Sequence, residues 1–152
     1  MAAGKYMGDE KSVLRWGGLA GIDPRVMLST LWIFVSVNYI FSDVLTAGLV
    51  AADAMPPGGV EMTQEIALAG AILLEIPFAM IVLSRVLKFR ANRWANIIAG
   101  AILAVVQIST LFIGTPELHY VFFSIVEVAT DLFIVWYAWK WLKQEERKAV
   151  AT

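Results

Sequence analysis

The stretch "AILLEIPFAMIVL", residues 71–83, decides the fold of this chain. It is apolar enough to lie in lipid, yet it carries Glu75 near its middle and Pro77 two residues later. A carboxyl group in a membrane normally faces other helices or a wet cavity, and a proline frees a backbone carbonyl that needs a new partner. The stretch therefore predicts a transmembrane helix that belongs to a bundle.

The composition of the chain supports a membrane location. Of its 152 residues, 59% are hydrophobic and only 16% are charged, and the mean hydropathy is +0.71. A soluble domain usually has about 25% charged residues. Cysteine is absent, which excludes a disulfide framework, a thiolate metal site and a cysteine nucleophile. The net charge of −1 and the lack of a phosphate-binding loop argue against a nucleic-acid partner.

Four apolar segments are each long enough to cross a hydrocarbon core about 30 Å thick. Their approximate bounds are 27–50, 65–87, 94–114 and 118–142. They predict an all-α integral membrane protein, a four-transmembrane-helix bundle that forms a single domain over residues 1–152. A segment at 1–25 and a tail at 143–152 flank the spans, and the loop "MPPGGVE" is the only candidate linker.

The basic residues predict the orientation of the spans. All 12 Lys and Arg residues lie before the first span, around the turn between the second and third, or at and beyond the end of the fourth. Because basic loops stay in the cytoplasm, both termini are expected there, in a multi-pass protein of the cell membrane. The tryptophans mostly fall near the same boundary, as in an aromatic belt. The basic cluster is either a topology signal alone or also a contact for anionic lipid headgroups.

Four carboxyl groups inside the spans are the strongest functional signal. Asp43, Glu75, Glu127 and Asp131 have no Lys, Arg or His at their depth, and an ionised acid there is costly. At 100° per residue, each span shows one polar or small face, and these faces are expected to meet around an acid-lined cavity. The candidate substrate-binding residues on or beside these faces are Asn38, Tyr39, Ser42, Gln107, Tyr120 and Ser124. In the second span, the corresponding face carries Gln64, Ala71, Glu75 and Ala79.

Neighbouring carboxyl groups in a low dielectric cannot all ionise, and a protonated acid beside an ionised one is an acid/base pair. We expect Glu75 and either Asp131 or Glu127 to be the proton donor and acceptor. Asp43 would then orient the substrate or stabilise a cationic transition state. A metal site is less attractive, because hard cations prefer more oxygen ligands. Serine catalysis lacks a histidine at depth, His119 lies at the outer mouth, and no cofactor is expected.

Three strings carry a resemblance to known families: "LSTLWIFVSVNYIFSDVL", "LLEIPFAMIVLSRVLKFRANRWANIIAG" and "VEVATDLFIVWYAWKW". Over about residues 27–143 the chain resembles an uncharacterised family of small bacterial four-helix membrane proteins, which implies the bacterial inner membrane. The order of features is also distantly similar to the EXPERA domain of the emopamil-binding sterol isomerase. That resemblance implies a cavity for a lipophilic ligand, with Asp43 and Glu75 before Pro77 as its acids. The isomerase also uses an intramembrane histidine, which this chain lacks.

These observations leave three hypotheses for the function. The first is a membrane-embedded acid/base enzyme, an isomerase or cyclase, that acts on a lipophilic small molecule. The alternative is a proton- or cation-coupled carrier of lipophilic cations. The third is a non-catalytic binding or scaffold protein whose acids are structural. The expected partners are the lipophilic molecule and membrane lipids, and a homodimer is left open.

The predicted orientation is testable by cysteine labelling in intact cells. Gly58→Cys and Glu117→Cys are expected to react with an impermeant maleimide from outside, and Ala91→Cys is not, because residue 91 lies among the basic residues. Permeabilised cells, in which all three variants should react, are the control. Labelling of Ala91→Cys in intact cells would contradict the orientation.

Overall fold

Four helices make up the part of the chain that the structure describes. The computed structural model describes residues 22–52, 63–113 and 116–150, and side chains as far as residue 141. Most of the predicted N-terminal segment, the linker and the tail, together with Trp16, lie outside the described residues and side chains. In chain order, the helices are α1 (Pro24–Ala51), α2 (Gln64–Val86), α3 (Phe89–Thr110) and α4 (Leu118–Val150). All four are long and apolar enough to cross a membrane, which confirms the prediction of an all-α, four-helix protein.

Local sequence signals determine where the helices begin. The Asp23 carboxylate accepts a hydrogen bond from the backbone N–H of Arg25 at 2.8 Å, and Pro24 occupies the first helical position of α1. The Thr63 hydroxyl accepts from the N–H of Ile66 at the start of α2. Helix α3 begins at Phe89, five residues before the predicted span, so the basic "FRANR" segment is helical.

The helices form a ring in which each packs against two neighbours. Contacts join α1 to α2, α2 to α3, α3 to α4 and α4 to α1, and the α3–α4 pair is packed most extensively. Large apolar side chains cover the outside of the ring; Val37 and Phe41 are each 56% exposed, and Val105 is 63% exposed. An apolar outer surface of this kind, on four helices of membrane-spanning length, indicates a multi-pass membrane protein.

The interior of the ring changes character along its length. Near the end that carries the basic residues, the buried side chains are mostly apolar: Leu28, Trp32, Val35, Met80, Leu103, Ile134, Ala138 and Trp141. In the other half, the buried side chains are polar or acidic: Ser42, Gln107, Ser124, Glu127 and Asp131. Trp32 and Trp141 thus belong to the core, and not to the boundary belt that the sequence predicted for the tryptophans.

A hydrogen-bond network at the basic end fixes how three helices are rotated. The side-chain oxygen of Asn96 accepts from the Trp32 indole N–H at 2.6 Å and from the Ser84 hydroxyl at 3.2 Å. Its amide nitrogen donates to the side-chain oxygen of Asn92 at 2.6 Å, and the Asn92 amide donates to the backbone carbonyl of Ser84. All these groups are buried, so the network joins α1, α2 and α3 in one register.

This network explains why the prediction for the inner face of α2 was wrong. The buried residues of α2 are Pro77, Met80 and Ser84, which recur at the i, i+3, i+7 spacing of one helix face. Glu75 precedes Ser84 by nine residues, about 180° around the helix at 100° per residue. The whole stripe that was expected to face inward is therefore exposed: Gln64, Ala71, Glu75 and Ala79.

A close approach of α3 to α4 yields a stability prediction at Gly100. A Cβ atom there would lie 3.0 Å from Val135 Cγ2 and 3.1 Å from the backbone oxygen of Asp131, whereas a Cβ at Gly48 meets nothing within 4 Å. Because a helical Gly→Ala change otherwise gains about 1 kcal/mol in propensity, Gly48→Ala should keep or raise the melting temperature in detergent. Gly100→Ala should lower it, because α3 must move away from α4. Equal effects of the two changes would contradict this packing.

Candidate functional site

Two carboxyl groups on α4 lie inside the bundle without compensating partners. Glu127 is 1% exposed and Asp131 is 0% exposed. Both oxygens of Glu127 and Oδ1 of Asp131 are buried with no hydrogen-bond partner. The two acids are four positions apart, which is about one helical turn. They therefore lie on the same face of α4, about 6 Å apart along its axis. Lys140 follows Asp131 by nine residues, which is about 14 Å away along α4.

Helix α1 supplies the groups opposite the carboxyl pair. The Tyr39 hydroxyl donates to Oδ2 of Asp131 at 3.5 Å, a long and therefore weak hydrogen bond. Asp43 lies one turn further along α1, on the helix that supplies Tyr39. The sequence placed Tyr39 and Asp43 at the edge of the polar face of α1, and the structure brings Tyr39 toward α4.

Polar groups of α3 and α4 cover the pair on the side of the α3–α4 turn. The Gln107 amide donates to the Ser124 hydroxyl at 2.7 Å, and that hydroxyl donates to the backbone carbonyl of Tyr120. The Tyr120 hydroxyl in turn donates to Thr110 at 2.6 Å. Gln107, Ser124 and Tyr120 therefore lie together as predicted, but they are bonded to one another and leave the carboxyl groups unpaired.

A contact between α1 and α4 lies beyond this layer, nearer the end of the bundle. Thr46 Oγ1 is 3.2 Å from Nε2 of His119, and the Thr46 hydroxyl also donates to the Ser42 carbonyl. Sequence reasoning placed His119 at the mouth without a partner. Little in the sequence indicated that Thr46 would contact His119. Threonine hydroxyls inside helices commonly donate to the carbonyl one turn earlier, as Thr46 also does.

Three predicted site residues take positions that differ from the expected cavity lining. Glu75 is exposed on the outer side of α2, so the structure does not bring it to the carboxyl pair. Asp43 has an exposed side chain. The Asn38 amide donates to the Phe34 carbonyl in its own helix, because an amide near lipid satisfies itself locally. Ser42 is buried, as predicted.

Helix α2 contributes little to the surroundings of the pair. Its fully buried residues begin only at Pro77, and Ile76 just before it is partly buried against the core. The acidic half of the bundle is consequently enclosed by α1, α3 and α4. Among the described residues, no group of three His, Cys, Asp or Glu side chains is arranged to hold a metal ion. The chemistry that the site itself contains is that of two carboxyl groups and a phenol.

The fold and the site together define a class: a four-helix protein of membrane-spanning character with an unpaired buried acid pair. Within that class, residues 17–148 match a family model described as a family of unknown function (DUF6326), and the chain belongs to this family. Neither the curated proteins nor the solved structures contain a match. The resemblance to an uncharacterised family is thereby confirmed, whereas the distant resemblance to the EXPERA domain stays a prediction.

The unpaired acids generate a prediction about stability. Glu127→Gln and Asp131→Asn keep the shape of each side chain and remove the cost of a buried carboxylate, so the melting temperature in detergent should hold or rise. Asn96→Leu has the opposite expectation, because it leaves the indole N–H of Trp32 without its acceptor and should cost about 1–3 kcal/mol. A fall for both acid variants as large as that for Asn96→Leu would show that the carboxyl groups hold the bundle together.

Proposed function

We propose that this chain is a membrane-embedded acid/base enzyme, an isomerase or cyclase, that acts on a lipophilic small molecule through Glu127 and Asp131. The observation that carries the proposal is the buried pair with three unpartnered carboxyl oxygens. A protein rarely leaves buried acids uncompensated, because each unsatisfied group costs free energy of folding. Such a cost is typical of a site that is kept for chemistry or binding.

The proposed location is the cytoplasmic membrane of a bacterium, with both termini in the cytoplasm. The charge distribution supports this orientation, because the start of α1, the α2–α3 turn and the end of α4 carry the basic residues. The acid pair then lies in the half of the bundle away from the cytoplasm. A lipophilic substrate would reach it from the bilayer and not from water.

The pair would work by moving one proton onto the substrate and another off it. Two adjacent carboxyl groups in a low dielectric share one proton, so one is an acid while the other is a base. The protonated group adds its proton to a carbon–carbon double bond, and the carboxylate removes a proton from a neighbouring carbon, which shifts the double bond. A cyclisation uses the same two steps, with ring closure between them. The cationic centre formed in between is stabilised by the remaining negative charge, and Tyr39 holds Asp131 in position.

In this proposal, a movement of the first half of α2 supplies the route of entry to the buried pair. That half has no fully buried side chain, whereas the second half is held by the hydrogen bond from the Asn92 amide to the Ser84 carbonyl. Pro77 lies at the boundary between the halves and removes one backbone hydrogen bond there. A lateral opening between α2 and its neighbours suits a substrate dissolved in lipid.

One observation favours a proton- or cation-coupled carrier as the second candidate. His119 and Thr46 are in contact near the end of the bundle. Asp43 lies about one turn from Thr46 along α1, in the direction of Tyr39 and the buried pair. These groups form a series that could pass protons between the mouth and the buried pair. A carrier would use the same acids to bind and release a lipophilic cation.

Hydrogen exchange into lipid provides the test that separates these functions. The protein is reconstituted in nanodiscs with a total bacterial lipid extract in D₂O, and the lipids are analysed by mass spectrometry. We expect a protein-dependent species that gains one deuterium, because an acid/base isomerase adds a solvent-derived proton and removes one from the substrate. Glu127→Gln and Asp131→Asn should abolish this signal while the protein stays folded.

Glu65→Gln is the matched control, since Glu65 is fully exposed at the start of α2 and should leave the signal unchanged. Glu75→Gln is measured in parallel, because a loss as large as that in Glu127→Gln would show that Glu75 reaches the pair in a homodimer. An unchanged signal in Glu127→Gln and Asp131→Asn would refute the enzyme. Uptake of a lipophilic amine driven by a pH gradient in proteoliposomes, without deuterium incorporation, would establish the carrier.

A further inference from the structure

The basic end of the bundle carries a cationic surface on which two of the cations lie against tryptophan rings. A positive charge on the cytoplasmic side would be enough for topology and does not require these contacts. Of the charged side chains that the structure describes there, six are basic, namely Arg25, Arg85, Lys88, Arg90, Arg93 and Lys140, and one is acidic, Asp23. Asp23 is used as the N-cap of α1, and Arg85 donates to the Ser29 hydroxyl at 2.9 Å. Among the described side chains at this end, no further carboxylate is present for the remaining cations, and two of them lie on tryptophan rings.

Arg93 bridges α3 and α4 through its guanidinium group. The group lies 5.2 Å from the ring centre of Trp94 and 5.5 Å from that of Trp139, within the range of a cation–π contact. Its Nε atom is buried, and no hydrogen-bond acceptor reaches it. Arg93 as a whole is only partly buried, so an acceptor from outside the chain can approach the oriented guanidinium at its terminal nitrogens and not at Nε.

Lys140 makes a similar cation–π contact within α4, on the ring of Trp136 one turn before it. Its ammonium group lies 4.5 Å from the ring centre of Trp136, and the side chain is exposed. The three tryptophans involved are each 51% exposed, so each presents part of its ring outward. Exposed tryptophan rings are characteristic of the membrane–water boundary, where their apolar part contacts acyl chains. Two cations thus lie on three partly exposed tryptophan rings near the basic end of α3 and α4.

We propose that Arg93 and Lys140, with Trp94, Trp136 and Trp139, bind the phosphate headgroup of an anionic phospholipid. The guanidinium and ammonium groups donate to the phosphate oxygens, and the indole rings pack against the glycerol and the first acyl carbons. This site rests on the membrane placement proposed above, but it is separate from the carboxyl pair, which lies on the other half of α4. Its ligand is a lipid of the surrounding bilayer and not the substrate.

The test is lipid titration of delipidated protein in detergent, followed by native mass spectrometry. Phosphatidylglycerol should bind more tightly than phosphatidylcholine with the same acyl chains. Arg93→Gln should weaken phosphatidylglycerol binding about tenfold, the effect of losing one charge-assisted hydrogen bond. Arg93→Lys should restore only part of it, because an ammonium group lacks the planar fork that stacks between two rings.

Arg90→Gln is the matched control, since Arg90 is an exposed cation one turn earlier in α3 and should have little effect. If Arg93→Gln lowers the melting temperature, Lys140→Gln tests the site instead, because Lys140 is exposed. Glu127→Gln should bind phosphatidylglycerol normally, so loss of the acid chemistry and loss of lipid binding are separate results. Equal binding of the two lipids, equal losses in Arg93→Gln and Arg90→Gln, or stabilisation by inorganic phosphate as strong as that by phosphatidylglycerol would each overturn the proposal.

Discussion

The rotation of three helices depends on one buried amide, that of Asn96. Its oxygen accepts from Trp32 of α1 and Ser84 of α2, and its nitrogen donates within α3. In a lipid environment, apolar packing alone distinguishes poorly between rotations, because lipid tails are as apolar as leucine side chains. A directional hydrogen bond selects one rotation. With Asn96 in place, Ser84 must point inward, and Glu75 on the opposite side of α2 must point outward.

The faces of α3 and α4 were predictable because several polar residues agree on one direction. Ser124, Glu127 and Asp131 recur at spacings of three and four, and all are buried. In α2, hydropathy is nearly uniform around the helix, and a single acid was taken to mark the inner face. The residue that decides the rotation, Ser84, lies near the helix end and is unremarkable in sequence. Its importance depends on Asn96, a long-range partner that no spacing rule reveals.

The candidate site was therefore predicted in part. The four helices follow from the lengths of the apolar runs, and the acids of α4 follow from the cost of carboxyl groups in a membrane. Which acids meet depends on tertiary packing. Gly100 shows why tertiary packing is hard to predict from sequence. A small residue is needed there because the backbone oxygen of Asp131, 31 positions later in the chain, lies close to it. The sequence shows a glycine on the polar face but not the carbonyl that it approaches.

The division of the interior into an apolar half and an acidic half has an evolutionary consequence. Most buried apolar packing and the asparagine network lie at the basic end, while the unpaired acids lie in the half where α2 contributes no buried side chain. A substitution in the acidic half should therefore disturb the fold less than one in the basic half. In evolutionary terms, sequence change is tolerated better at the end that holds the acids than at the end that holds the asparagine network.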